Sequence, residues 1–265
     1  MDIKFDLFPE GKTKALTMSY DDGPVFDRRL VEIFNKYGIR GTFHLNSGRL
    51  GQDGVVSPDE VSKLYSGHEV AAHAKTHPFL DSIPIEAVAD EIIEDRKALE
   101  SLVGYPVKGM SYPYGVYNSK IIEMLAALGI EYSRTVVSHH GFEIPENFLA
   151  WHATCHHEDN LMELGKKFLD FSGSGRLKLM YVWGHSFEFD AKNNWNLIED
   201  FCAMMSGKND IWYATNIEIA RYVKALKCLE FSAKRDMAYN PSAVSVWISV
   251  DGKAVEIKSG ETVKF

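Results

Sequence analysis

The sequence has few cysteines, no long apolar run and no cluster of basic residues. Its three cysteines, Cys155, Cys202 and Cys228, are an odd number without a close-spaced pair, so we expect no disulfide framework and a reducing compartment. No run approaches the roughly 18 apolar residues that a membrane-spanning helix needs. The N-terminal stretch contains no apolar segment typical of a secretory signal, which predicts a cytoplasmic protein unless a signal has been trimmed away.

The charge balance is acidic, with a formal net charge of −8 and an isoelectric point near 5.7. Without a basic arm or a Lys/Arg run, a nucleic-acid partner is disfavoured. Apolar residues make up 45% and charged residues 25% of the 265 positions, which is typical of a globular protein with a sizeable core. This length allows one large domain, or one domain with a small appendage, and the oligomeric state is left open.

Short apolar segments alternate with helical patterns along most of the chain. The predicted strands are 14–20, 40–46, 68–73, 107–112, 130–136, 177–185 and 210–215. The predicted helices are 27–38, 57–67, 84–104, 118–129, 159–173, 193–207 and 216–229. Strands separated by helices pair in parallel through right-handed crossovers. Seven or eight such strands favour a (β/α) barrel, and a doubly wound open sheet is the alternative.

Two segments depart from this alternation. Residues 138–158 have no clear period and are predicted to form a long loop. Beyond residue 229 the pattern changes to period two, with Asp251-Gly252 as a hairpin signal. We therefore divide the chain into a barrel of residues 1–229 and a β-hairpin appendage of residues 230–265. The appendage either binds a ligand or covers one end of the barrel, and we favour covering.

Candidate functional residues follow three of the predicted strands. Asp21 and Asp22 end the first strand, His73 and His77 follow 68–73, and His185 follows the apolar strand 177–185. Since the carboxyl ends of parallel strands meet at one face, we expect these side chains to lie together. Two histidines and one carboxylate with an open position are typical of a catalytic zinc site, and the second aspartate is then free to act as a general base. Each motif alone could be a turn, an incidental pair or a polar strand end, but their joint placement favours a site.

Four motifs carry a resemblance to a known family. TMSYDDGP (17–24) resembles the first motif of polysaccharide deacetylases, the NodB-homology domain of carbohydrate esterase family 4. HAKTH (73–77), GMSYPYG (109–115) and LMYVWGH (179–185) are similar to the second, third and fifth motifs and occur in the same order. The resemblance covers roughly residues 10–225. It implies a deformed (β/α) barrel of about seven parallel strands, followed here by the small C-terminal β appendage.

The resemblance also implies an activity, namely hydrolytic removal of an N- or O-linked acetyl group from a carbohydrate. It implies a divalent metal, with zinc as the first choice. By position in the motifs, Asp21 matches the catalytic base, and Asp22, His73 and His77 match the metal ligands. An acetylated carbohydrate is therefore the expected partner.

Further roles follow from the later motifs. His185 matches the general acid, and the backbone N–H of Tyr114 matches the group that binds the oxyanion. Four residues are expected to contact the substrate: Pro113, Trp151, Val182 and His156. Glu188 or Asp190 could orient the imidazole of His185, although we favour both as surface acids.

The sequence departs from the family pattern at two positions. Ala74 stands where the second motif has Ser or Thr, and Ser111 stands where the third motif has an arginine that orients the catalytic aspartate. We hypothesise that Arg134, at the end of a neighbouring strand, supplies this cation to Asp21, with a solvated or capping arginine as the alternative. Two other functions stay open, namely a hydrolase of non-sugar C–N bonds on the same scaffold and a catalytically weak carbohydrate-binding protein.

Overall fold

The computed structural model describes residues 1–172 and 175–265. In these ranges the strands are β1 (Ile3–Lys4), β2 (Lys14–Asp21), β3 (Gly41–Leu45), β4 (Glu69–Ala72), β5 (Gly109–Ser111), β6 (Tyr132–Ser138), β7 (Trp151–Ala153), β8 (Cys155–His156), β9 (Lys178–Gly184), β10 (Ile211–Tyr213), β11 (Glu230–Phe231), β12 (Met237–Tyr239), β13 (Val246–Val250), β14 (Lys253–Ile257) and β15 (Thr262–Lys264). The α-helices there are α1 (Asp27–Tyr37), α2 (Pro58–Leu64), α3 (Ile85–Val103), α4 (Ser119–Ala127), α5 (Leu161–Asp170), α6 (Ser186–Ala191), α7 (Trp195–Met205) and α8 (Asn216–Lys227).

The central sheet is parallel and closes on itself. Its strands follow the order β7-β6-β5-β4-β3-β2-β9-β8, and β10 pairs with the first half of β2. β7 pairs with β6, and β8 pairs with β9. Because β7 and β8 are consecutive in the chain, they connect the two edges of the sheet. Between them the Thr154 backbone N–H donates to the Tyr181 carbonyl at 2.8 Å. The result is a deformed (β/α) barrel.

The prediction of a long loop over 138–158 is wrong for part of that segment. The residues Trp151–Ala153 and Cys155–His156 form the strands that close the barrel. Each is only two or three residues long, and the two pair with different neighbours. No alternating run long enough to be seen in the sequence therefore exists here.

The predicted helices are present, and most end within two or three residues of their predicted limits. The helix expected over 159–173 is observed as α5 and ends at Asp170, while its predicted end at Gly173 lies outside the described residues. Helix α1 ends at Tyr37 and is followed by Gly38, whose φ of 66° is the left-handed conformation that glycine adopts after a helix end. The short helix α6, directly after His185, was not predicted.

The core has two layers, and β9 separates them by the alternation of its side chains. Met180 and Val182 belong to the cluster that lies between the sheet and the helices. Tyr181 and Trp183 belong to the cluster inside the barrel, which continues to α8 and the C-terminal strands. Successive side chains of a strand point to opposite faces, so only the second pair can face the interior.

The C-terminal strands take part in two antiparallel sheets, each with three strands. β13 and β14 form a hairpin around Asp251-Gly252, and β1 from the N-terminus pairs with β13. β11, β12 and β15 form the other sheet. The division of the chain at residue 229 stays a prediction. In the described part of the chain, every helix is too short or too polar to cross a membrane.

Candidate active site

The two aspartates lie at the carboxyl end of β2, and their side chains contact different groups. Asp21 is the last residue of the strand and is only 2% exposed. Asp22 follows in the left-handed region with a φ of 73°, and its N–H donates to the His44 carbonyl at 2.9 Å. This turn separates the side chains, so that Asp21 contacts groups of the barrel interior and Asp22 contacts the histidines after β4.

Asp22, His73 and His77 form a cradle that fits a divalent metal ion. The Oδ1 atom of Asp22 is buried, has no hydrogen-bond partner and lies 3.9 Å from Nε2 of His73 and 3.7 Å from Nε2 of His77. Burial lowers the pKa of His73 to about 4, so its imidazole is neutral at neutral pH. An orphaned carboxylate oxygen facing two imidazole nitrogens is the donor set that zinc prefers. Arg49 lies at the rim, with Nη1 3.5 Å from the same Asp22 oxygen.

Contacts outside the cradle fix the orientation of His73. Its Nδ1 faces the backbone carbonyl of Ser111 at 2.9 Å and the Ser111 hydroxyl at 2.7 Å, which directs Nε2 to the cradle. The Asn46 side-chain amide donates to the carbonyls of His73 and Ala74 at 2.6 and 2.8 Å. Asp95 accepts from the His73 N–H at 3.0 Å. These partners hold the loop in which Ala74 replaces the usual hydroxyl residue.

Arg134 lies against Asp21, where the sequence hypothesis placed it. It is on β6, in register with Ser111 of β5, and its Nη2 donates to Oδ2 of Asp21. The Ser111 hydroxyl donates to Oδ1 of Asp21 at 3.2 Å. Arg134 is fully buried, and its guanidinium carbon lies 4.3 Å from the ring centroid of Trp183. A cation thus reaches the carboxylate from the strand next to the one that carries Ser111.

The electrostatics of Asp21 favour its charged form. Burial alone would raise the pKa of this carboxyl, but Arg134, His73 and His44 outweigh burial and hold the pKa well below its usual range. His44 is also buried and places Nδ1 3.3 Å from Oδ1 of Asp21. Asp21 is therefore ionised at neutral pH.

His185 completes the site from the end of β9. Its Nε2 lies 4.0 Å from Oδ2 of Asp22, and its Nδ1 lies 3.4 Å from Oε1 of Glu188. Burial opposes protonation, but Glu188 and the two aspartates raise the pKa of His185 above its ordinary value. Glu188 is therefore the residue that faces the imidazole. Asp190 instead accepts from the Trp195 indole at 3.4 Å, so our preference for two surface acids was wrong for Glu188.

Tyr114 lies at the mouth of the cradle in a left-handed conformation with a φ of 56°. Among the described residues, the backbone N–H of Tyr114 has no backbone acceptor. Its ring contacts the His77 ring at 4.4 Å and stacks on Phe79 at 3.9 Å between centroids. Both aromatic rings are about half exposed. Phe79 lies outside the four sequence motifs and was not predicted.

The four residues expected to contact substrate lie in different surroundings. Val182 is fully buried in the layer between the sheet and the helices, so this prediction needs correction, and Trp183 is the neighbour that faces inwards. Trp151 is 1% exposed and packs on Tyr181, so it is part of the core rather than a wall of the cleft. Pro113 is buried next to Tyr114, and His156 lies near Glu188 with 19% of its side chain exposed.

Comparison with known proteins shows which family the chain resembles. Residues 9–133, slightly less than half of the chain, match the family model described as polysaccharide deacetylase. Over 135 residues it is 27% identical to a peptidoglycan-N-acetylglucosamine deacetylase of Listeria monocytogenes, covering 49% of this chain and 28% of the relative. Over 115 residues it is 26% identical to chitin deacetylase 1 of Cryptococcus neoformans, covering 43% of this chain and 24% of the relative.

A solved structure extends the likeness over more of the fold. A protein of Mycobacterium smegmatis assigned to the polysaccharide deacetylases superposes with a TM-score of 0.63 at 19% identity, covering 83% of this chain and 93% of that one. At this identity the likeness concerns the fold. The chain spans about a quarter of the length of the two curated relatives.

Proposed function

We propose that this chain is a member of the polysaccharide deacetylase family and a metal-dependent hydrolase that removes an acetyl group from a carbohydrate. The observation that supports the proposal most is the cradle of Asp22, His73 and His77, flanked by the ionised Asp21 and by His185. Five groups from three strand ends thus lie within reach of one small substrate group. This is more than a binding protein without catalysis would require.

A divalent metal ion, with zinc as the first choice, would be held by Asp22, His73 and His77. When bound there, it would polarise the acetyl carbonyl and make a water molecule more acidic. The neutral imidazole of His73 and the unpartnered Asp22 oxygen support this assignment.

The chain's own residues would handle the protons and the developing charge. Asp21 accepts the proton of the attacking water while Arg134 and Ser111 hold the carboxylate in place. The Tyr114 N–H donates to the acetyl oxygen as negative charge develops on it. His185 gives its proton to the departing amine or alcohol, and the nearby Glu188 favours the protonated form of the imidazole. Acetate and the deacetylated sugar are the products.

The exposed rings of Phe79 and Tyr114 support a sugar as the substrate. They form a stacked pair beside His77, and the apolar face of a sugar ring packs well on such a surface. The relatives are named for peptidoglycan and chitin, so N-acetylglucosamine polymers are the first substrates to test. The cytoplasmic location suggested by the sequence stays a prediction.

The experiment measures bound metal and released acetate on the same preparations. Wild type is assayed with chitooligosaccharides, peptidoglycan fragments, acetylated xylan and simple acyl amides. The matched variant Asp21→Asn keeps the cradle and should bind metal while losing about 10²–10⁴-fold in rate, the usual contribution of a general base. A metal-loaded wild type that releases no acetate from any sugar would reject the proposal. Turnover of the acyl amides alone would favour the non-sugar hydrolase.

A further inference from the structure

A second group of metal-ligating side chains lies beyond His185. His156 ends β8, His157 follows it, and Glu188 comes from α6. Oε2 of Glu188 lies 3.1 Å from Nε2 of His156 and 3.3 Å from Nε2 of His157. All three ligand atoms fall within 4.8 Å of one another. With ligand bonds of about 2.0–2.2 Å, one zinc ion reaches three atoms at such spacings.

His157 has no other use for its nitrogens in the described structure. Its side chain is fully buried, yet neither Nδ1 nor Nε2 has a hydrogen-bond partner there. A buried and unsatisfied polar group is costly, so a native structure that contains one requires an explanation. Nε2 is the atom that faces Glu188, and a bound cation would satisfy it.

The surroundings are shaped to receive the imidazole of His157. Its ring stacks on Phe189 at 4.1 Å and on Tyr20 at 5.8 Å between centroids. A Cβ atom at position 184 would lie 2.0 Å from Nδ1 of His157, so only Gly184 leaves room for the ring. The ring is thus held in place before any ligand arrives, which lowers the entropy that binding would cost.

Hydrogen bonding alone does not account for the group as well as a cation does. Oε2 of Glu188 already accepts from the backbone N–H of His185 at 3.0 Å, and it is shared by both imidazoles. One contact argues against metal binding: the backbone N–H of Glu158 lies 3.3 Å from Nδ1 of His156. A metal bound at Nε2 would leave the ring proton on Nδ1, so this contact would be given up. Its distance is slightly beyond the usual hydrogen-bond range.

An ion can reach this group from solvent. The side chains of His156 and Glu188 are 19% and 22% exposed, while His157 forms the buried wall. Two histidines and a glutamate with an open side are a known zinc donor set. The site is separate from the cradle, because it shares no ligand with Asp22, His73 and His77.

We propose that His156, His157 and Glu188 form a second site for a divalent transition-metal ion, with Zn²⁺ as the best match. Glu188 binds this ion through Oε2 and keeps Oε1 towards Nδ1 of His185. The carboxylate of Glu188 would then lie between this ion and the imidazole of His185.

The test is the number of Zn²⁺ ions bound per chain, measured by equilibrium dialysis on chelator-treated and reloaded protein, with no activity readout. His156→Gln should bind one ion fewer than wild type, and His77→Gln should also bind one fewer by losing the ion of the cradle. The double variant should lose both. Co²⁺ reports the same sites through its visible absorption, and the spectrum removed by His156→Gln should differ from the one removed by His77→Gln.

The control is His140→Gln, which removes an exposed histidine paired with Asp159 and should bind as many ions as wild type. Glu188→Gln repeats the test, so that a folding defect of His156→Gln, seen as a lower unfolding midpoint, does not decide the outcome. The proposal is overturned if wild type binds no more Zn²⁺ than His156→Gln and Glu188→Gln do. This result would stand whether or not the protein releases acetate.

Discussion

The contact between Arg134 and Asp21 gives the sharpest prediction for stability. Arg134→Met keeps most of the side-chain volume and removes the cation. The two side chains are 0% and 3% exposed, so solvent screens neither. Removing one partner of a buried ion pair costs about 3–5 kcal/mol, because the other charge stays buried. For a chain of this size, such a loss lowers the melting temperature by on the order of 10 °C.

The pH dependence of the stability that Asp21 contributes should change sign when Arg134 is replaced. In wild type the folded pKa of Asp21 is depressed, so its stabilising effect is present above the unfolded pKa of about 3.9 and is lost as pH falls. Without Arg134, burial raises the pKa of Asp21, and stability is then lost as pH rises. Thermal unfolding in the presence of a chelator, followed by circular dichroism from about pH 8 to about pH 5, should show Arg134→Met regaining part of its stability.

Two further variants decide whether this reasoning holds. Arg221→Met breaks the exposed pair with Glu131, in which the arginine is 46% exposed, and should cost less than about 1 kcal/mol. Adding Asp21→Asn to Arg134→Met should restore a large part of the lost stability, because no buried charge is left unpaired. The reasoning is refuted if Arg134→Met is as stable as Arg221→Met, or if the double variant is no more stable than Arg134→Met.

Three other predictions concern pH, substrate binding and packing. Burial raises the pKa of Glu69 to about 7, so the stability of the folded state declines as pH rises from the unfolded pKa through about 7. Glu69→Gln should flatten the resulting decline in melting temperature, and an unchanged slope would contradict the assignment. Phe79→Ala removes the stacking partner of Tyr114 and should raise KM for oligosaccharides up to about tenfold, with an unchanged melting temperature. An unchanged KM would show that the stacked pair of Phe79 and Tyr114 does not bind the sugar. Gly109→Ala places a Cβ atom 2.1 Å from the Tyr132 ring and should cost at least about 1–3 kcal/mol in urea unfolding; wild-type stability would show that the ring can move.

The fold could be predicted to the extent that local patterns set it. The helices follow from apolar periodicity with glycines at their ends, and β2 and β9 follow from long apolar runs. The closing strands β7 and β8 could not be found in this way, since each is shorter than one full alternation and depends on two different neighbours. Their identity as strands is set by tertiary pairing rather than by local sequence.

The site could be predicted where family motifs place residues at strand ends, as for Asp21, Asp22 and His185. Arg134 was inferred from the gap that Ser111 leaves, and parallel register places these two residues side by side. The supporting contacts of Asn46 and Asp95 cross between elements far apart in the chain, so no local pattern announces them. The assignment of Val182 failed because spacing from His185 was followed instead of strand alternation.

The measurement that tests the account most directly is acetate release from chitooligosaccharides before and after metal removal. Wild type should lose activity when treated with a chelator and should regain it when Zn²⁺ is added back. Asp22→Asn should stay inactive under both conditions, because it lacks the carboxylate that faces His73 and His77. Equal acetate release by chelated and zinc-loaded wild type, or full activity of Asp22→Asn, would contradict the proposed metal-dependent mechanism.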